Sequence, residues 1–259
     1  MTGYRESTID LAADRSDWYI CRAAYKILML KAIIFDFNGI ILNDEPLHFR
    51  AMQETVASLG VHLTEQEYWD KYLPLDDWSC LSSICSDHSR QLTNEEQEQA
   101  LSHKLQAYQR LLQGGYPLFP GAAQFIARAA SVYPLAVATG ARREEVMGTL
   151  DATGLMRYFR VVVSAQDFTK GKPHPESFLL ALQRLNERLN GSAPAIAPAE
   201  CLVIEDSVHG VRGALSAGMA CLAVANTYPR EKLAAASRVA GSLAEVDIDS
   251  LPSLFEGTH

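Results

Sequence analysis

The chain has 259 residues, 48% of them apolar and 21% charged, with a formal net charge of −8. Such a composition excludes a disordered or fibrous chain. The acidic balance excludes a general nucleic-acid or anionic-membrane binder, which would hold phosphates through clustered Lys and Arg. The five cysteines, at positions 21, 80, 85, 201 and 221, include no C-x-x-C pair, so reduced thiols in a cytoplasmic, monomeric protein are expected. No apolar run reaches the roughly 18 to 20 residues that a bilayer span requires.

In chain order, residues 1–28 carry Glu6, Asp10, Asp14 and Asp17 and match neither a secretory signal nor a transit peptide. They read as a weakly ordered arm or an upstream start, ahead of Met29 and the first strand. Short apolar runs follow at 32–37, 135–138, 161–164, 202–204 and 221–224, with helical periodicity at 142–152, 175–189 and 208–217. Near-continuous apolar runs mark strands buried on both faces. Their alternation with helices predicts an α/β fold, a doubly wound parallel Rossmann-like sheet.

The stretch between the first two strands is too long for one crossover helix. It holds helix-forming segments at 47–59, 65–72 and 93–112 and little β-rich sequence. The expected organisation is a core domain of residues 29–45 and 116–259, with an all-helical cap at 46–115 joined through linkers at 43–46 and 114–120. The Pro- and Ala-rich stretch 191–198 reads as a surface loop before the fourth strand.

In an open parallel sheet, ligands bind outside the carboxyl ends of the strands. Polar residues fall at those ends: Asp36 and Asn38 after the first strand, Thr139 and Gly140 after the second, Lys172 after the third, Glu205 and Asp206 after the fourth. Clustered carboxylates suit a hard cation such as Mg2+. A hydroxyl, a glycine amide and an ammonium suit a phosphate. Each residue has a plainer reading as well: Asp36 as a helix cap, Lys172 as a solvated loop lysine, Glu205 as a structural partner of the site.

Asp36-Phe37-Asn38-Gly39-Ile40, Thr139, Gly171-Lys172-Pro173 and Ile204-Glu205-Asp206-Ser207 resemble, in order and strand context, the four motifs of the haloacid-dehalogenase-like superfamily. Asp44-Glu45-Pro46-Leu47-His48, Phe119-Pro120-Gly121 and Ala217-Gly218-Met219 are similar to its small helical-cap branch, which includes phosphoglycolate phosphatases and β-phosphoglucomutases. The resemblance covers residues 29–224. It implies a phosphatase-type hydrolase for a small phosphorylated metabolite, with Asp36 as the nucleophile that forms an aspartyl-phosphate. It further implies Mg2+ held by Asp36, the backbone carbonyl of Asn38, Asp206 and Glu205, and a phosphoryl group held by Thr139, Gly140 and Lys172.

Two departures qualify that expectation. Asn38 stands where relatives carry the proton-transferring aspartate, and a carboxamide cannot exchange that proton; His48 and Glu45 are the nearby substitutes in sequence. A weakened member that binds a phosphate ligand without turnover is therefore a rival reading. In the cap, 72–78 reads Tyr-Leu-Pro-Leu-Asp-Asp-Trp where relatives often carry a basic residue. Asp76 and Asp77 would repel a second phosphate, and Trp78 offers a face for a sugar ring, which argues against a bisphosphate-cycling mutase. Asp76 or Asp77 equally suits a helix cap. A dehalogenase is disfavoured by Asn38 and the Glu205–Asp206 pair, and phosphonate cleavage would require a Schiff-base lysine in the cap; Lys71 is available there, as one of many exposed lysines.

Overall fold

The computed structural model describes residues 29–73, 75–189 and 194–255. The arm expected over residues 1–28 lies outside the described residues, as do Pro74 and residues 190–193, which include the start of the 191–198 loop.

Six strands form one sheet in the order β3-β2-β1-β4-β5-β6, all neighbours parallel. They are β1 Ala32–Phe35, β2 Leu135–Ala138, β3 Phe159–Val163, β4 Cys201–Glu205, β5 Ala220–Val224 and β6 Arg238–Ala240. The first five are the apolar runs of the sequence, with ends differing by at most two residues. β6 was not foreseen, because Arg238-Val239-Ala240 is short and polar at its start; it adds to the far margin through β5.

Among the described residues the α-helices are α1 Glu45–Ser58, α2 Glu65–Glu67, α3 Asp77–Asp87, α4 Asn94–Leu112, α5 Ala122–Ala130, α6 Arg143–Ala152, α7 Glu176–Arg188 and α8 Val208–Ser216. Alternate strand residues point to opposite faces, and the packing follows. Ile33, Phe35, Val137 and Ile204 meet Phe125 and Ile126 of α5 and Val146 and Leu150 of α6. Ile34, Ala136, Val163 and Val203 meet Phe178, Leu182 and Leu185 of α7 and Val211 of α8. The sheet is thus covered on both faces, as a doubly wound fold requires. Phe35 anchors the first layer, its ring in edge contact with Phe125 at 6.0 Å and Phe159 at 5.7 Å. Truncating Phe35→Ala is expected to cost about 3–5 kcal/mol of folding free energy, read as a lowered urea midpoint with unchanged slope.

Helices α1 to α4 lie between β1 and β2 in sequence and bury an apolar cluster of their own, including Met52, Val56, Leu81, Ile84, Cys80 and Cys85. The segment predicted as one helix at 65–72 begins as α2 behind a Thr64 capping box and continues as a π-helix, Tyr68–Tyr72. Asp76 caps α3, its carboxylate accepting from the Ser79 amide at 3.0 Å. Among the described residues, no helix is long and apolar enough to cross a membrane.

Candidate active site

The strand order reverses direction between β1 and β4, and the residues that follow these two strands meet there. The Asp36 amide donates to Ile204 O at 2.9 Å, which ties the end of β1 to β4. After Asp36 the chain turns tightly: the amides of Ile41 and Leu42 both donate to Phe37 O, and Gly39 sits at φ +78°. Glycine is required there on a second count, since a Cβ at Gly39 would occupy the Asp206 carboxylate. Gly210 plays the same part on α8, where a side chain would collide with Glu205.

Three buried carboxylates, Asp36, Glu205 and Asp206, bring ligand oxygens within 4.8 Å of one another. One ammonium joins them. Lys172 Nζ lies 2.7 Å from Asp36 Oδ1 and 2.6 Å from Glu205 Oε1. The other oxygen of Glu205 accepts from the amides of Asp206 and Ser207, both at 2.8 Å, and from the Ser207 hydroxyl at 3.0 Å. Glu205 is therefore saturated by protein donors, whereas Asp36 Oδ1, although ion-paired, has no donor aligned on it. Among the described side chains, Asp206 accepts only from the Thr227 hydroxyl.

The charges follow from this geometry. Burial pushes the Asp36 carboxyl up to about 6 against the pull of Lys172. Burial, reinforced by the charges of Glu205 and Asp36, holds Asp206 well above the carboxylate range. Burial also opposes the charge of Glu205, but Lys172 and the Ser207 and Asp206 amides outweigh it and keep that carboxyl low. Lys172, although buried, is held above the ordinary lysine range by Asp36 and Glu205. Three carboxylates around one ammonium leave a deficit of positive charge that a divalent cation would fill, and oxygen-only donors suit Mg2+. The residues fit that ion.

Thr139 and Gly140 follow β2. The Thr139 amide donates to Val163 O at 3.0 Å, and its Oγ1 accepts from the Ala141 amide at 3.1 Å, which orders the turn. A cavity of about 910 Å³ unites the site, lined by Asp36, Asn38, Thr139, Gly140 and Lys172 on one side and by Asp76, Asp77, Lys104 and Tyr108 on the other. Of the cap residues singled out in sequence, Asp76 and Asp77 reach this cavity; Trp78 does not line it and is 42% exposed.

The wall opposite Asp36 is a network that the sequence did not disclose. Lys104, 3% exposed, extends from α4 to Asp77 at 2.7 and 2.8 Å and to His48 Nδ1 at 2.7 Å. His48 Nε2 faces Asp44 at 3.1 Å, its ring stacked 4.3 Å from Tyr108, whose hydroxyl donates to Asp44 at 2.6 Å. Both ring nitrogens of His48 are thus engaged. Glu45 accepts from the Tyr68 hydroxyl at 2.6 Å. The two substitutes considered for Asn38 are tied into the scaffold. Asn38 itself donates from Nδ2 to Glu145 Oε1 on α6 at 3.4 Å, and its Oδ1 is buried with no partner among the described residues. Burial raises the Glu145 carboxyl, with Asp44 adding to the effect. One signal for Lys104 was present: it falls on the buried stripe Gln97, Ala100, Lys104, Ala107 of an amphipathic helix, where a lysine needs a partner.

Comparisons with known proteins find relatives over most of the chain. Residues 30–218 match the family described as haloacid dehalogenase-like hydrolase. A phosphorylated carbohydrates phosphatase from Thermotoga maritima is 28% identical over 197 residues, 73% of this chain and 82% of that protein. The structure of CbbY from Rhodobacter sphaeroides in complex with xylulose-(1,5)bisphosphate superposes with a TM-score of 0.67 at 29% identity, covering 84% of this chain and 96% of that one. A β-phosphoglucomutase from Clostridium difficile shares the fold with a TM-score of 0.70 at 21% identity, covering 88% and 97%.

Proposed function

The chain belongs to the haloacid dehalogenase-like hydrolase family, and from that premise we propose that it is a magnesium-dependent phosphatase for a sugar or polyol monophosphate. One observation carries the reading: the buried carboxylates Asp36, Glu205 and Asp206 gathered about Lys172 at the point where the sheet reverses. Asp36 is the nucleophile. Its carboxylate attacks phosphorus, the ester oxygen leaves, and water then cleaves the aspartyl-phosphate. Lys172, the Thr139 hydroxyl and the Gly140 amide hold the phosphoryl oxygens as charge shifts onto the leaving group.

Mg2+ would be held by Asp36, Asp206 and the backbone carbonyl of Asn38. Glu205, its lone pairs spent on Lys172 and Ser207, supports the site from behind. When bound, the ion supplies the positive charge that lets a dianionic phosphate approach a carboxylate. Residues 46–115 act as a cap over a core of 29–45 and 116–259. Four buried free cysteines among the described residues support a reducing, cytoplasmic setting.

The substrate class rests on two supports. The related phosphatase is named for phosphorylated carbohydrates. The cavity away from Asp36 sets Glu45, Asp76, Asp77 and Glu145 against Lys104 and Arg142, a balance that repels a second phosphate and accepts hydroxyls.

A screen of sugar and polyol phosphates, with and without Mg2+, reads released phosphate. Release that requires the metal is expected; no release from any ester would favour a silent ligand binder. Asp206→Ala is expected to weaken Mg2+ binding by about tenfold or more while phosphate affinity moves by less than about threefold. Calorimetry showing unchanged Mg2+ affinity would overturn the ligand set.

A further inference from the structure

β3 forms one margin of the sheet. Between α6 and α7 a cavity of about 760 Å³ opens over that margin, lined by none of the residues around Asp36. Arg143 of α6, Arg160 of β3, and Arg184 and Arg188 of α7 contribute to its wall, with Met147 and Met156 supplying apolar surface. Arg143 and Arg184 share one carboxylate, Asp167, at 2.5 and 2.8 Å. Arg160 and Arg188 pair with no carboxylate among the described residues, and Glu187 is the single acid on the lining. A chain of net charge −8 thus sets four arginines on the lining of one cavity against a single lining acid, with Asp167 paired to two of them.

We propose that this cavity binds an anionic metabolite that joins two or more phosphate charges to an apolar or ring body, the class to which nucleoside diphosphates belong. Guanidinium forks match phosphate oxygens bidentately. Methionine side chains adapt to a flat apolar face. The volume lies within the roughly 300–1,000 Å³ usual for small-molecule sites. A bare phosphate would leave the methionine wall unused. The site is independent of the reading of Asp36, and its test uses binding alone.

The experiment is titration calorimetry of the intact chain with adenosine diphosphate, inorganic pyrophosphate and a hexaglutamate peptide. Adenosine diphosphate is expected to bind, and Arg160→Glu with Arg188→Glu to weaken it about tenfold or more through two lost charge-assisted contacts. Lys172→Ala should leave that affinity within about twofold, and pyrophosphate should bind about fivefold more weakly for want of the apolar wall. Affinity lost in Lys172→Ala but kept in the arginine double variant would place the nucleotide beside Asp36 and overturn the proposal. No heat with adenosine diphosphate, pyrophosphate binding as tightly, or hexaglutamate binding more tightly would overturn it as well. Circular dichroism establishes that the double variant is folded; should it not be, Arg160→Gln with Arg188→Gln carries the same comparison.

Discussion

Replacing Asp36 by Asn is expected to lower phosphate release by at least about 10³-fold and to abolish any trapped aspartyl-phosphate, because the substitution removes the attacking oxygen's charge. The loss should come without unfolding. Asp36, Glu205 and Asp206 crowd three buried carboxylates about a single ammonium. Neutralising one of them relieves repulsion, and Lys172 keeps its contact with Glu205. The metal-free variant should therefore melt at or above the temperature of the parent chain. Released phosphate and the melting midpoint check both halves. Activity within a few-fold of the parent would dismiss Asp36 as nucleophile, and a collapsed midpoint would mean that its role is structural.

The second large effect is expected at Asn38. Asn38→Asp introduces a group able to protonate a leaving oxygen, and such help is commonly worth about 10²–10⁴-fold. In this chain, however, the Asn38 amide donates to Glu145. An aspartate there would face a second carboxylate, with Asp44 close by, and like charges at that range disfavour each other. The single variant should gain only modestly on alkyl phosphates. The double variant Asn38→Asp with Glu145→Gln should gain about tenfold or more, since an amide on α6 again pairs with a carboxylate after β1. An aryl ester, whose phenolate leaves without a proton, should respond little. Rates for both variants on one alkyl and one aryl ester decide it: equal changes on the two esters, or no difference between single and double variants, would refute the pairing argument.

Much of this architecture could be read from residue pattern because buried parallel strands announce themselves. The run 135–138 coincides with β2, and the runs feeding β4 and β5 differ by a residue or two. Asp36, Thr139, Glu205 and Asp206 draw notice for the same reason, since a polar residue directly after such a run stands out, whereas Lys172, eight residues past its run, does so only through Gly171-Lys172-Pro173. β6 escaped because three residues, one of them Arg238, leave no apolar signature. Glu145 and Lys104 escaped for a different reason. Glu145 sits inside a helix whose periodicity explains it as an ordinary surface residue until the fold sets α6 beside Asn38, and Lys104, although on the buried stripe of α4, gives no hint of its partners until α4 lies beside His48. The division of labour at Glu205 was also hidden, since only geometry distinguishes a carboxylate already filled by donors from one left open.

The helices between β1 and β2 leave and rejoin the core at adjoining points. Leu42 bridges Leu118 in antiparallel fashion, the Asn43 amide donates to Pro117 O at 2.7 Å, and the Phe119 amide donates to Ile41 O at 3.1 Å. This narrow neck makes the excursion a closed loop whose ends the core fixes whatever lies between them. Loop-closure entropy grows only as the logarithm of length, so a longer or shorter helical excursion could be stitched into the same neck at small thermodynamic cost. Asp77, Lys104 and Tyr108 lie beyond the neck, whereas Asp36, Lys172 and Asp206 lie on the sheet side of it. The groups that would contact a substrate's variable end and those that would perform the chemistry are thus separable inheritances, free to diverge at different rates within one continuous chain.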